Sequence, residues 1–244
     1  MKREDFDALA AQGFNRIPIM CEVLADLDTP LSSYLKLAEG PYSYLLESVE
    51  GGDKWGRYSM IGLPCRTVLR VSGHEITVET DGDIVEQAKA TDPLTWIEQF
   101  LGRFRVPRLE DEPRFSGGLV GYFGYDTIRY IEQRLAEGPN PDTLGTPDIL
   151  LMVSDEVVVF DNLAGKLYVI THVDPGTADA WERGTARLAA LVRKLRGPTP
   201  GYSHHPAGSV VDETDFVSGF TREGFETAVE RIRDYIVEGD VMQV

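Results

Sequence analysis

The chain has 244 residues, 40 acidic and 24 basic, for a formal net charge of −16. That balance repels nucleic-acid phosphates and anionic membrane surfaces, so neither is an expected partner, and an anionic metabolite must find a local positive site. Hydrophobic residues make up 42% of the sequence, enough to bury the core of one large domain or two small ones. Its two cysteines, Cys21 and Cys65, form no CxxC pair, which argues against a disulfide scaffold or a zinc site. Met1–Phe6 has basic residues with no apolar run behind them, and no apolar run approaches the ~18 residues that span a bilayer, so a soluble cytoplasmic protein is expected.

In chain order, the first clear helix is expected over 30–38. Thr29 caps it, Pro30 takes the first helical position, and Leu31, Tyr34, Leu35 and Ala38 share a face before Gly40-Pro41. Residues 42–48 read as a buried strand. Alternation over 66–79 about Ser72-Gly73 predicts a β-hairpin, with a third strand after Thr80-Asp81-Gly82-Asp83. Asp92-Pro93 opens a helix carried by Ile97, Phe100, Leu101 and Phe104. A glycine-punctuated strand over 115–122 precedes a helix marked by Ile128, Ile131 and Leu135. Strands over 149–153, 157–160 and 167–171 follow, then a helix through Leu188, Leu191, Val192 and Leu195. Short turns join most neighbouring strands. The expected class is therefore α+β: largely antiparallel β-sheets packed together, with helices on the outside.

Residues 197–209 are rich in Pro, Gly and Ser and read as a linker. Beyond them Phe220 and Phe225 bracket a Thr221 cap at hydrophobic-staple spacing. Phe225, Val229, Ile232 and Ile236 form one apolar face, and Gly239 stops the helix. Val241-Met242-Gln243-Val244 reads as the opening of a strand. An apolar strand end without a polar tail suggests a chain cut before its next domain, with 1–196 as one domain, 197–212 as linker and 213–244 as the start of a second.

Candidate chemistry is sparse. Leu46-Glu47-Ser48 ends an apolar strand in an acid and a hydroxyl, beside the glycine-rich run Gly51-Gly52-Asp53-Lys54-Trp55-Gly56-Arg57-Tyr58-Ser59. Such a strand end can present backbone groups and a hydroxyl to a small ligand, or can be a turn with a solvated face. The glycines of 117–124 follow neither the dinucleotide-binding nor the P-loop order and read as close packing of a strand. Asp126, Arg129 and Glu132 are spaced to share a helix face. His74 and His172 sit at strand ends, and His204-His205 lies in the linker without ligand-spaced neighbours. No nucleophile–base pair is apparent.

Taken together, LLES (45–48), GRYSMIGLP (56–64), SGGLVGYFGYD (116–126) with Arg129 and Glu132, and PDILLMVSDEVVVFDN (147–162) resemble the N-terminal domain of anthranilate synthase component I. The terminal YIVEGDVMQV (235–244) is similar to the lead into that family's chorismate-binding domain. The sister family, aminodeoxychorismate synthase component I, shares the third motif; the LLES and GRYS pairing looks more like the anthranilate enzyme. The resemblance implies a lyase that converts chorismate and ammonia to anthranilate and pyruvate, the first step toward tryptophan. Ammonia would come from a glutamine amidotransferase subunit, and Mg²⁺ would act in the chorismate domain. Feedback inhibition by L-tryptophan is implied too, with Ser48 as principal contact and Leu46 and Glu47 beside it. Catalytic and Mg²⁺-binding residues would lie outside this chain, which is then expected to be inactive alone. A stand-alone amino-acid-binding regulator is the alternative of a different class.

Overall fold

Sheets form where apolar residues alternate, and helices form where they recur every three or four positions. The structure, a computed structural model, describes every residue except 27, 49–55, 111, 137–141, 143, 202–207, 209 and 210, and of Gln133 the backbone only. It divides into two compact units, Met1–Pro200 and Gly201–Val244.

The first unit opens with α1 (Arg3–Ala11), β1 (Ile17–Leu24) and α2 (Pro30–Leu37), followed by β2 (Tyr44–Glu47) and β3 (Tyr58–Gly62). A meander of β4 (Thr67–Ser72), β5 (Glu75–Thr80) and β6 (Asp83–Lys89) leads into α3 (Pro93–Leu101), β7 (Gly118–Phe123) and α4 (Ile128–Ile131). β8 (Ile149–Ser154), β9 (Glu156–Asp161), β10 (Lys166–Val173) and α5 (Ala180–Leu195) complete it. The strands make two five-stranded sheets, ordered β1-β10-β9-β3-β2 and β6-β5-β4-β8-β7. Every pairing is antiparallel, as the α+β reading expects.

Each sheet has its own core. On one face of the first, Ile17, Ile19, Ile61, Val158, Phe160, Leu167 and Val169 pack with Phe6 of α1, Leu37 of α2 and Leu188 and Leu191 of α5. On its other face, Val157, Val159 and Ile170 pack with Met20, Met60 and Phe115. Covered on both faces, β9 reads as an unbroken apolar run rather than an alternation. The second sheet buries Leu69, Val71, Ile76, Val78, Ile149 and Leu151 against Ile97 and Phe100 of α3. Asp92 caps α3, accepting from the Leu94 and Thr95 amides. The chain passes between the sheets twice, through residues 63–66 and through the lone Asp155 between β8 and β9.

Several expectations are corrected. α1 and β1 precede the first helix read from the sequence. The 42–48 strand is not buried: β2 is an outer strand, paired with β3 alone, and Leu46, Glu47 and Ser48 are exposed. The 128–135 helix breaks at Glu132, whose backbone is extended, before a 3₁₀ turn at Gln133–Leu135. Tertiary anchors compete with helix continuation there: the Tyr130 hydroxyl donates to the Gly73 carbonyl and to Asp148 at 2.6 and 2.9 Å. Arg129 pairs with Asp126 at 2.7 Å, whereas Glu132 pairs with Arg134, so the three do not act as one face. Residues 241–244 form no strand; a strand needs a paired neighbour, and none of the described pairings reaches them.

In the second unit, α6 (Arg222–Glu238) is capped by Thr221, whose hydroxyl accepts from the Gly224 amide at 3.1 Å. The Phe220 and Phe225 rings meet edge to face at 6.4 Å, and Gly239 closes the helix at φ 86°. No residue of α6 is buried.

Gly121 tests the β7–β8 pairing, because a Cβ there would lie 1.9 Å from the Leu150 carbonyl oxygen. Gly121→Ala should cost about 1–3 kcal/mol through overpacking. Hydrogen exchange should show β7 losing amide protection while β9 and β10 keep theirs; unchanged protection in β7 would show that the close approach is not structural.

Candidate ligand site at a sheet edge

Leu46, Glu47 and Ser48 are exposed, and among the described residues β2 has a neighbour on one side only. Tyr44, Leu45, Leu46 and Glu47 face Gly62, Ile61, Met60 and Ser59 of β3. Among the described residues, nothing pairs with the opposite edge of β2, which presents backbone donors and acceptors. Strand alternation places Leu46 and Ser48 on one face and Glu47 on the other. Met60, beside Leu46, packs toward Val157, Val159 and Ile170. The three predicted residues are brought together as a strand end, but on two faces, so one ligand could touch all three side chains only across the strand's edge. Of the glycine-rich run, residues 51–55 lie outside the described residues, as do His204 and His205.

Two glycines let this edge close. A Cβ on Gly56 would lie 2.2 Å from Ser48 Cβ, so the start of β3 approaches Ser48 directly. Gly62 faces Tyr44, and a Cβ there would lie 1.9 Å from the ring. The ring crosses β3 at that point, and its hydroxyl reaches Ser154 Oγ at 2.8 Å. Burial pushes the Tyr44 phenol up to about 12, so it stays protonated and available for that bond.

The start of β3 is held by Asp161 and Asn162 at the end of β9. Asp161, only 4% exposed, receives Arg57 Nη2 at 2.8 Å and Nε at 3.2 Å. It also accepts from the Leu163 and Ala164 amides, the Asx turn that reverses the chain into β10. Asn162 Nδ2 donates to the Gly56 carbonyl at 3.0 Å, and the Asn162 amide donates to the Arg57 carbonyl at 2.8 Å. Asp161-Asn162 is a local turn signal, but its partner Arg57 lies 104 residues away, and no local pattern links them.

A second polar group sits where the sheets meet. Arg16 Nη1 lies 3.0 Å from Asp174 Oδ2, and its Nε lies 3.9 Å from Asp155 Oδ1. The Asp155 carbonyl accepts from the His172 amide at 2.8 Å and from His172 Nδ1 at 3.2 Å. Burial lowers the His172 pKa and raises that of Asp155. The sequence reading missed Arg16, Asp155 and Asp174, because the three come from separate strand ends. Burial also pushes the Cys65 thiol up to about 11, which leaves it an unreactive thiol at neutral pH. Among the described residues, no group of three or more His, Cys, Asp or Glu side chains could hold a metal ion, and no helix is long and apolar enough to cross a membrane.

The Arg57–Asp161 pair gives a pH signature. Arg57 first, then the turn amides, hold Asp161 below the ordinary carboxylate range. A depressed folded-state pKa contributes stability that is present above the unfolded value, near 4, and is lost as pH falls through the folded one. Asp161→Asn should destabilise the chain by about 1.5–3 kcal/mol at pH 7, the scale of a charge-assisted hydrogen bond. In urea unfolding the difference between wild type and variant should shrink below about pH 4; a constant difference from pH 7 to 3 would remove the ion pair as its source.

Comparison with known proteins agrees with this architecture. A profile of the family described as chorismate binding enzyme matches residues 49–244. Anthranilate synthase component 1 of Pseudomonas aeruginosa is 59% identical over 245 residues, covering 100% of this chain and 50% of that protein. The protein of the same name from Neisseria meningitidis serogroup C is 50% identical over 247 residues, covering 100% and 49%. The crystal structure of anthranilate synthase component I from Streptococcus pneumoniae superposes with a TM-score of 0.54 at 25% identity, covering 89% of this chain and 46% of that one. The chain thus spans about half the length of the curated relatives it matches. With a profile match over most of its residues, it belongs to the chorismate binding enzyme family.

Proposed function

We propose that this chain is the tryptophan-sensing part of anthranilate synthase component I. The end-to-end similarity to proteins of that name carries the reading. In it, residues 1–196 are the regulatory domain, 197–212 the linker, and 213–244 the start of the chorismate-binding domain. The whole enzyme would aminate chorismate and eliminate pyruvate, with ammonia supplied by a glutamine amidotransferase subunit in the cytoplasm. Mg²⁺ would neutralise carboxylate charge in the chorismate domain. The described residues of this chain hold no cluster of carboxylates or other ligands that suits that ion.

L-Tryptophan would lie along the open edge of β2. A carboxylate suits its ammonium group, a hydroxyl suits its carboxylate, and an apolar wall suits its indole. Glu47, Ser48 and Leu46 with Met60 offer these from two faces of one strand. Binding across the edge would couple the ligand to the position of β2 relative to β3. The Arg57–Asp161 pair fixes that position on the β3 side.

In the full-length enzyme, Ser48→Ala should raise the tryptophan concentration for half-inhibition. A lost hydrogen bond costs about 0.5–3 kcal/mol depending on the ligand's charge, roughly twofold to over a hundredfold. An unchanged inhibition curve would take Ser48 out of the site. The 244-residue chain alone should form no anthranilate from chorismate, ammonia and Mg²⁺; fluorescence rising above the no-enzyme control would place catalytic groups within it.

A further inference from the structure

A cleft of about 240 Å³ opens between the β8–β9 crossing and the segment after α3. It lies away from the β2 edge: none of Leu46, Glu47 or Ser48 lines it. Its lining carries the apolar side chains of Phe104, Val106 and Leu119, the polar side chains of Arg16, Asp155 and His172, and the segment Ser116-Gly117-Gly118. Gly117 is required there, since a Cβ would lie 2.5 Å from the Ser154 carbonyl oxygen and 2.8 Å from His172 Cε1.

The polar group is only partly satisfied. The Arg16 guanidinium stacks over Phe104 at 5.3 Å and is bound through Nη1 and Nε, while Nη2 carries no hydrogen bond among the described residues. The Asp155 carbonyl can only accept, so His172 Nδ1 carries the proton. With the imidazole held neutral by burial, Nε2 is an acceptor, and it has no partner among the described residues. The Asp155 carboxylate has one long contact, to Arg16 at 3.9 Å, and keeps 45% of its side-chain area accessible. Nearby, Glu112 Oε1 is buried without a hydrogen-bond partner among the described residues, and its charge favours protonation of His172. The lining therefore offers a free donor pair beside two acceptors that seek N–H groups, together with apolar side chains.

We propose that this cleft binds a free α-amino acid with an apolar side chain of leucine to phenylalanine size, at a site separate from the β2 edge. The ligand carboxylate meets Arg16 Nη2. Its ammonium donates to the Asp155 carboxylate and to His172 Nε2. Its side chain lies against Phe104, Val106 and Leu119. Neither a plain carboxylic acid nor a plain amine satisfies both halves of that polar group, and the half left unpaired weakens binding. The acidic surface as a whole repels a carboxylate, so a zwitterion is also the form of anion best able to reach Arg16.

The test is titration of the ¹⁵N-labelled 244-residue chain with L-phenylalanine and L-leucine, followed by amide NMR. Saturable shifts at Gly117, Gly118, Asp155 and His172 are expected. 3-Phenylpropanoate and 2-phenylethylamine should each bind at least about tenfold more weakly than L-phenylalanine. Arg16→Gln should weaken binding by a similar factor, and Val106→Trp, at a position 43% exposed, should fill the cleft and abolish it without altering the polar group. If Arg16→Gln does not fold, Val106→Trp decides. The proposal is overturned if both amino acids leave these amides unmoved at millimolar concentration, if Val106→Trp binds as well as wild type, or if either analogue binds as tightly as its amino acid. Shifts confined to Leu46–Ser48 would also overturn it, while leaving the tryptophan reading of the β2 edge intact.

Discussion

The polar contacts where the two sheets meet are built around one residue, Asp155, whose carbonyl serves His172 and whose carboxylate faces Arg16. It alone separates β8, in one sheet, from β9, in the other. Two sheets joined by a single residue cannot twist independently, and the strands beside the crossing must find their hydrogen bonds around it. The Asp155 carbonyl does so by serving both the amide and the ring of His172 on β10. On one side of it, Ser154 receives Tyr44 from β2; on the other, the Glu156 carbonyl accepts from the Leu63 amide at 3.0 Å, closing the second crossing. Both passages between sheets are thus sewn together at one place.

The charge distribution follows from that geometry. In a chain with 40 acidic side chains, three cations hold carboxylates at the joints of the fold. Arg57 serves the buried Asp161, and Arg16 bridges Asp155 and Asp174. Lys36, 10% exposed, bonds Asp28 at 2.7 Å and caps the Leu195 carbonyl at the end of α5 at 2.8 Å. This last contact sets a cation against the negative end of a helix dipole and ties α2 to α5. Removing Arg57 or Lys36 leaves a largely buried carboxylate with a desolvation cost and no return. The excess negative charge is carried mainly by residues with less at stake, on helix surfaces and loops.

What the sequence revealed and what it hid divide along the same line. Strands β4, β5, β8, β9 and β10 were readable because alternation and turn residues are local, and α6 was readable to its ends because cap, staple and terminal glycine are all local signals. β1 was missed although Ile17, Ile19 and Cys21 alternate inward; Pro18 interrupts the run, tolerable because β1 is an outer strand. The burial of β2 was misjudged because four apolar and aromatic residues look alike in an inner and an outer strand, and only its single partner tells them apart. The 128–135 segment kept its helical spacing and lost its helix to Tyr130's bonds with Gly73 and Asp148, which are 57 and 18 residues distant. Of the edge site, Leu46, Glu47 and Ser48 were legible as a strand end, whereas the Arg57–Asp161 pair that holds their neighbour strand was not.

The glycines of the two recognisable motifs acquire a common meaning from this arrangement. Read alone, four glycines within residues 117–124 point to close packing of a strand without saying against what. In the structure Gly117 lets the chain lie against His172, and Gly121 lets β7 press on the Leu150 carbonyl. Gly56 and Gly62 do the same for Ser48 and the Tyr44 ring. In each case the missing Cβ permits a backbone to approach a polar group or an aromatic ring. Tyr44 and His172 then meet consecutive residues, Ser154 and Asp155, at the crossing between sheets. A shift of β2 against β3 would move the Tyr44 ring, which lies across Gly62, and so disturb Ser154 at the wall of the interior cleft. One side chain, Tyr44, thus links the edge strand to a residue that lines the cleft.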